Sequence, residues 1–261
     1  MDDLADLSPA RYAALIAPAI DRAFAETMTA AGAMGGRELS ERFGGRQATG
    51  FLVDLRTRLG APDGVVTAGQ FAAVRRYGDL AQARALLEGQ AERGMLEIDA
   101  DGSARATERG REFVAGIYAL HAEVTATLWK GFEARVALLA DLAGRALAQA
   151  QLTATWAPTT DGHALSAMAP PFEPAGMPEA VLLLNRLGTL RYHRADAHAA
   201  AWQAAGLTAA GMVALPSGSS MRTGIEEETN RAAAAPWRAL SPTERVEFLA
   251  GLAALPCAPR L

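Results

Sequence analysis

The chain has 261 residues, of which 25 are basic, 29 are acidic and 50% are hydrophobic. This length suffices for one large domain or two modest ones with buried cores. A net charge of −4 excludes the strongly positive field of an obligate nucleic-acid binder. The one cysteine, Cys257, excludes a disulfide framework or a thiolate metal site within one chain.

The first residues are acidic where a secretory signal would be basic. Apolar runs also stay well short of the roughly 20 residues that cross a membrane. We therefore expect a soluble, cytoplasmic protein with no membrane partner.

Apolar residues at helical spacing predict an amphipathic helix from Pro9 to about Ala31, with Ser8 as its cap. Glycines end this helix, and two shorter helices follow over residues 38–43 and 47–59. Residues 60–64, which read Gly-Ala-Pro-Asp-Gly, form a clear break.

The next segment changes pattern at Thr67, where a short helix runs to Gly78. Asp79 then caps a second helix that ends before Gly94. Residues 95–106 alternate like two short strands around an Asp-Ala-Asp-Gly turn, which predicts a β-hairpin. A long helix then starts at Thr107 and extends to about residue 153. Helix, turn, helix, hairpin and helix is the order of a winged helix-turn-helix.

Two strings here resemble the wing region of MarR-type regulators. They are Glu-Arg-Gly-Met-Leu at 92–96 and Ala-Thr-Glu-Arg-Gly-Arg at 106–111, and the resemblance covers about a fifth of the chain. The resemblance implies a winged helix that regulates transcription by binding double-stranded DNA. It also implies a homodimer, which we expect to form through the terminal helices.

The DNA-binding interpretation places the helix over residues 79–93 in the major groove. The residues expected to contact phosphates or bases are Arg75, Arg76, Gln82, Arg84, Arg105 and Arg109. Acidic residues oppose this interpretation. Asp79, Glu88 and Glu92 lie on the same helix, and the tip of the wing carries two more aspartates.

Residues 154–178 lose all periodicity and contain five prolines, which predicts a loop and the best candidate domain boundary. We expect 1–153 to hold the N-terminal helices, the winged helix and the long helix, and 179–261 to form a C-terminal helical region. Helices are expected there over 179–187, 196–205 and 221–235, and from Ser241 onward. The predicted fold class is mainly α, with a two-stranded wing.

The string Leu-Arg-Tyr-His-Arg-Ala-Asp-Ala-His at 190–198 is the most unusual in the chain. Together with Ile-Glu-Glu-Glu-Thr-Asn at 225–230 it resembles an actinobacterial-type family of helix-turn-helix proteins of undefined role. The resemblance would cover most of residues 65–255. It implies a winged-helix fold and regulation, and it brings no catalytic assignment.

Physically, this string permits three interpretations. A helix start flanked by Arg191 and Arg194 could bind an anion. A metal site is less favoured, because His193 and His198 are five residues apart whereas zinc pairs on helices prefer four. In the structural interpretation, Asp196 caps the helix and the arginines pair with Glu226 or Glu227 across a helix interface.

A second function class is a small-molecule binding protein in which the winged helix is only a scaffold. The pocket would lie between the long helix and the C-terminal helices. Its expected ligand-binding residues are His121, Trp129, Arg191, His193, Arg194, Asp196, His198 and Trp202. The alternatives are that the aromatic residues only fill the core, or that a histidine acts as a general base oriented by Asp196. We expect no metal and no cofactor.

Overall fold

Helices dominate the computed structural model, which describes residues 7–154 and 162–256. A small three-stranded antiparallel sheet accompanies them. In chain order the elements are α1 (Pro9–Ala31), a π-helical turn (Gly32–Gly36), α2 (Arg37–Arg42), α3 (Arg46–Asp54), α4 (Arg56–Leu59), β1 (Val65–Val66), α5 (Ala68–Val74), α6 (Leu80–Glu92), β2 (Leu96–Ile98), β3 (Ala104–Ala106), α7 (Glu108–Leu128), α8 (Glu133–Thr153), α9 (Ala164–Met168), α10 (Glu179–Ala204), α11 (Ala209–Ala214), α12 (Ser220–Ala232), a 3-10 helix (Ala235–Ala239) and α13 (Pro242–Ala254).

The first helix forms as its sequence predicts. The Ser8 side chain accepts a hydrogen bond from the Arg11 backbone N–H at 3.4 Å, and Pro9 occupies the first turn. Tyr12, Ile16 and other residues at helical spacing are buried along one stripe. This buried stripe is the face of α1 that packs against the core and lines a pocket.

The predicted hairpin over residues 95–106 is confirmed. Leu96 pairs with Ala106 and Ile98 with Ala104 in an antiparallel register. The Thr107 side chain ties this hairpin to the next helix, since its Oγ1 donates to the Gly94 carbonyl at 2.6 Å and accepts from the Gly110 N–H at 3.1 Å. At Gly110 a Cβ would lie 2.1 Å from the Met95 carbonyl oxygen, so glycine is required there. The added strand β1 pairs with β3 and was not predicted.

Three helix predictions need correction. The long helix predicted over 107–153 is two helices, because Gly131 adopts a φ of 82° between α7 and α8. The two helices predicted at 179–187 and 196–205 are one, α10. The loop predicted over 154–178 contains the short helix α9, while residues 155–161 lie outside the described part of the chain.

The helix α10 lies at the centre of the molecule. It packs against α1, α7, α8, α9 and α12. Its Gly188 allows a close approach, since a Cβ there would lie 2.8 Å from the Phe24 ring. One apolar cluster joins α1 and α8 to the C-terminal helices through residues such as Ile16, Leu139 and Leu183. A second cluster surrounds Phe113 and joins the sheet to α3, α5, α6 and α7.

No helix within residues 7–154 or 162–256 combines the length and apolar character needed to cross a lipid bilayer. The division of the chain into a region before residue 154 and one after residue 178 stays a prediction. Residues from both sides of that boundary share the first apolar cluster, for example Leu139 and Phe248.

Candidate functional site

A pocket of about 270 Å³ lies between α1, α10, α12 and the 3-10 helix. Its walls are partly apolar, with Ile16 and Ile20 from α1 and Trp237 from the 3-10 helix. The structure brings four of the predicted ligand-binding residues to this pocket: Arg191, His193, Arg194 and His198. Residues that also line the pocket and were not predicted to do so include Asp21, Tyr77 and Thr229, together with Glu226, which was expected only as an ion-pair partner.

Three of these residues, Arg191, Arg194 and His198, share one face of α10, because a spacing of three or four residues along a helix brings side chains to the same side. His193 lies off this face and lines the pocket from the side of the core. It is 2% exposed, while Arg191 and Arg194 stand nearer to solvent. The site is therefore mid-helix, and the predicted helix start with its anion-binding N–H groups is wrong.

A chain of three side chains favours one proton arrangement of His198. The indole Nε1 of Trp202 donates to the Tyr77 hydroxyl oxygen at 3.0 Å, and that oxygen lies 2.7 Å from His198 Nδ1. Indole only donates, so the tyrosine hydroxyl accepts from Trp202 and its own proton is available for Nδ1. In the neutral imidazole this leaves the second proton on Nε2, directed toward Glu226 Oε1 at 3.6 Å.

Burial keeps the pocket histidines neutral. It lowers the pKa of His193 to about 4. It also lowers the pKa of His198, although the Glu226 carboxylate partly opposes that effect. The same desolvation raises the pKa of the Tyr77 hydroxyl. Near neutral pH the histidines therefore act as hydrogen-bonding groups without charge.

Two nitrogen atoms of residues that line the pocket lack an acceptor among the described residues. Arg194 Nη2 lies 3.5 Å from Glu226 Oε2, which confirms the predicted pairing across the helix interface. However, Arg194 Nη1 and His198 Nε2 are buried and make no hydrogen bond to any described residue. Buried polar groups are normally paired, so two neighbouring exceptions are unusual. Arg191 is satisfied differently, because its Nε donates to Asp21 Oδ1 at 2.6 Å.

Asp196 has a structural position that the sequence did not predict. Its side chain is fully buried and accepts hydrogen bonds from Arg76 Nη2 at 2.5 Å and from the backbone N–H groups of Ala164 and Leu165 at 2.9 and 2.8 Å. It therefore caps α9, not α10, and it does not line the pocket. Trp202 likewise reaches the site only through Tyr77.

The remaining predicted ligand-binding residues lie elsewhere. Trp129 is 3% exposed in the first apolar cluster and lines no pocket near α10. His121 lines a different pocket of about 570 Å³ together with Asp54. Burial, and to a lesser extent Arg56, lowers the pKa of His121 to about 3. The residues predicted to line one pocket between the long helix and the C-terminal helices therefore lie in separate parts of the structure.

The residues predicted to bind DNA have different surroundings. Gln82, Arg84 and Arg109 are exposed. Arg105 pairs with Asp99 at 2.7 Å and Arg75 with Asp54 at 3.2 Å. Arg76 is held in the buried pair with Asp196, so it is not available to a phosphate. Asp79, Glu88 and Glu92 are exposed beside Arg84, as the sequence suggested.

Within the described residues, no group of three His, Cys, Asp or Glu side chains is placed to hold a metal ion. Comparison with protein-family models, curated proteins and solved structures found no match.

Proposed function

We propose that this chain is a small-molecule binding protein whose ligand occupies the pocket between α1, α10 and α12. The observation that carries the proposal is the combination of a partly apolar pocket with two buried nitrogen atoms, Arg194 Nη1 and His198 Nε2, that have no hydrogen-bond partner among the described residues. Apolar walls with a few convergent polar groups are typical of ligand sites. A ligand oxygen at the polar end would supply the missing acceptor.

We further propose that α4 to α7 and the sheet form a winged helix-turn-helix that serves first as a scaffold. The order of helices and the hairpin supports this assignment. Two contacts dock the turn between α5 and α6 onto α10: Arg76 with Asp196, and Tyr77 with His198. This turn is therefore held against the wall of the pocket.

The test is a fragment screen by protein-observed NMR on the full chain. Ala17 lies in the pocket wall on α1, so Ala17→Leu would fill the cavity without replacing a core residue. We expect the Kd of fragments that shift the indole N–H signal of Trp202 or Trp237 to rise at least about tenfold in this variant. The matched control is Ala25→Leu, at an exposed position of α1 outside the pocket. Binding that survives Ala17→Leu would contradict the proposed site.

A second candidate function is a ligand-responsive DNA-binding regulator, as the MarR-type resemblance implies. One observation favours it: Tyr77 belongs both to the pocket wall and to the turn that precedes α6. A ligand touching Tyr77 would act on the helix expected in the major groove. The exposed acidic residues of α6 weigh against this candidate, and the homodimer stays a prediction.

The DNA-binding candidate has its own test. Fluorescence anisotropy with fragments of the DNA upstream of the gene, in a salt series, would reveal any specific binding. If it exists, Arg84→Ala should weaken it by about tenfold or more, since a base or phosphate contact from arginine is worth about 1–3 kcal/mol. Arg238→Ala, at an exposed position of the 3-10 helix, is the control. No binding even at low salt would remove this candidate.

A further inference from the structure

The polar end of the pocket has more positive than negative charge. Of the charged groups that act on His198, Arg76 is neutralised by its buried pair with Asp196, which leaves Arg194 and Arg222 against one carboxylate, Glu226. Asp21 also lines the pocket, but it is paired with Arg191. The balance around the pocket therefore stays positive and favours an added negative charge.

Glu226 engages its two partners only loosely. Its carboxylate lies 3.5 Å from Arg194 Nη2 and 3.6 Å from His198 Nε2. Charge-assisted hydrogen bonds are usually about 2.7–2.9 Å long. The Glu226 side chain is also 44% exposed, so it can turn toward solvent at little cost. A second carboxylate could thus take its place beside both donors.

The unpaired atoms specify what such a ligand must offer. Arginine can only donate, and the proton arrangement derived for His198 makes its Nε2 a donor as well. Both atoms therefore need an acceptor, and the two oxygens of one carboxylate can serve both. The opposite wall, with Ile16, Ala17 and Ile20, offers an apolar surface.

Resting on the proposed function, we propose that the pocket selects ionised carboxylic acids with an apolar body, and that the ligand carboxylate replaces Glu226 beside Arg194 and His198. A cationic ligand would instead pair with Glu226 and leave both donors unpaired. A neutral apolar ligand would leave them unpaired too, at the cost of buried unsatisfied groups.

The experiment compares matched acids and amides on the full chain: phenylacetate with phenylacetamide, 4-phenylbutyrate with 4-phenylbutanamide, and octanoate with octanamide. Each Kd is measured at pH 7.5 by the chemical shifts of the indole N–H groups. We expect at least one acid to bind about tenfold or more tightly than its amide, because only the acid can form charge-assisted hydrogen bonds to the two donors.

Two variants test whether Arg194 and Glu226 cause the preference for the acid over the amide. Arg194→Gln should reduce the preference for the acid to about twofold or less, and Glu226→Gln should strengthen acid binding several-fold by removing the competing carboxylate. The controls are Arg238→Gln and Glu227→Gln, at exposed positions outside the pocket. Neither control should change the preference.

The outcomes separate this inference from the proposed function. Equal binding of acid and amide that is lost in Ala17→Leu would overturn the carboxylate preference and leave the pocket in place. A preference unchanged in both Arg194→Gln and Glu226→Gln would also overturn it, because the acid would then bind elsewhere. If neither member of any pair binds, the proposed function fails together with this inference.

Discussion

Replacing Asp196 by alanine should lower the free energy of unfolding by about 3–5 kcal/mol. The substitution leaves the Arg76 guanidinium, whose side chain is 10% exposed, without its buried partner. It also removes the acceptor for the N–H groups of Ala164 and Leu165, so α9 loses its cap. Urea unfolding monitored by circular dichroism would measure the effect as a lower midpoint at an unchanged slope.

The matched control for this prediction is Asp21→Ala, which removes an ion pair of similar length at the surface. The Asp21 and Arg191 side chains are 58% and 39% exposed, so the expected loss is below about 1 kcal/mol. Equal losses in the two variants would show that the buried pair does not hold the α5–α6 turn onto α10.

Acidification below pH 6.5 should destabilise the protein through two buried histidines. Their pKa values are lowered to about 3 for His121 and about 4 for His193, from 6.5 in the unfolded chain. Below pH 6.5 the unfolded chain therefore binds protons that the folded chain does not, and stability falls as the pH falls. Each histidine should cost about 2–3 kcal/mol by about pH 4.5.

Urea unfolding at several pH values between 8 and 4.5 would test this dependence. Below about pH 6, His121→Leu should lose about 1.4 kcal/mol less per pH unit than the parent chain, because one proton no longer binds on unfolding. The values at pH 8 provide the baseline, since both imidazoles are then neutral in either state. An unchanged slope in His121→Leu would contradict the buried, neutral position of this residue.

The sequence predicted those elements that carry an explicit cap or turn signal. Ser8 and Pro9 gave the start of α1, and the Asp-Ala-Asp-Gly turn gave the hairpin. The break between α7 and α8 was missed because helical periodicity continues across Gly131. The continuity of α10 was missed because Asp196 resembles a cap, although it caps α9 instead. The two residues of β1 are too few to show an alternating pattern.

The pocket was predictable only in part. Arg191, His193, Arg194 and His198 were selected because they lie close together in the sequence, and α10 keeps them together in space. His121 and Trp129 were added because helical spacing marks a buried face. That spacing cannot say which element packs against the face. The contribution of Tyr77 depends on a contact across 121 residues, for which no local pattern exists.

A crystal structure of the chain soaked with a fragment acid that binds it would test the proposed carboxylate site. We expect the ligand body between α1 and α12, against Ile16 and Ile20. We also expect a carboxylate oxygen within hydrogen-bonding distance of Arg194 Nη1 or His198 Nε2. An empty pocket beside a ligand bound at another surface, with Glu226 still next to both donors, would contradict the claim.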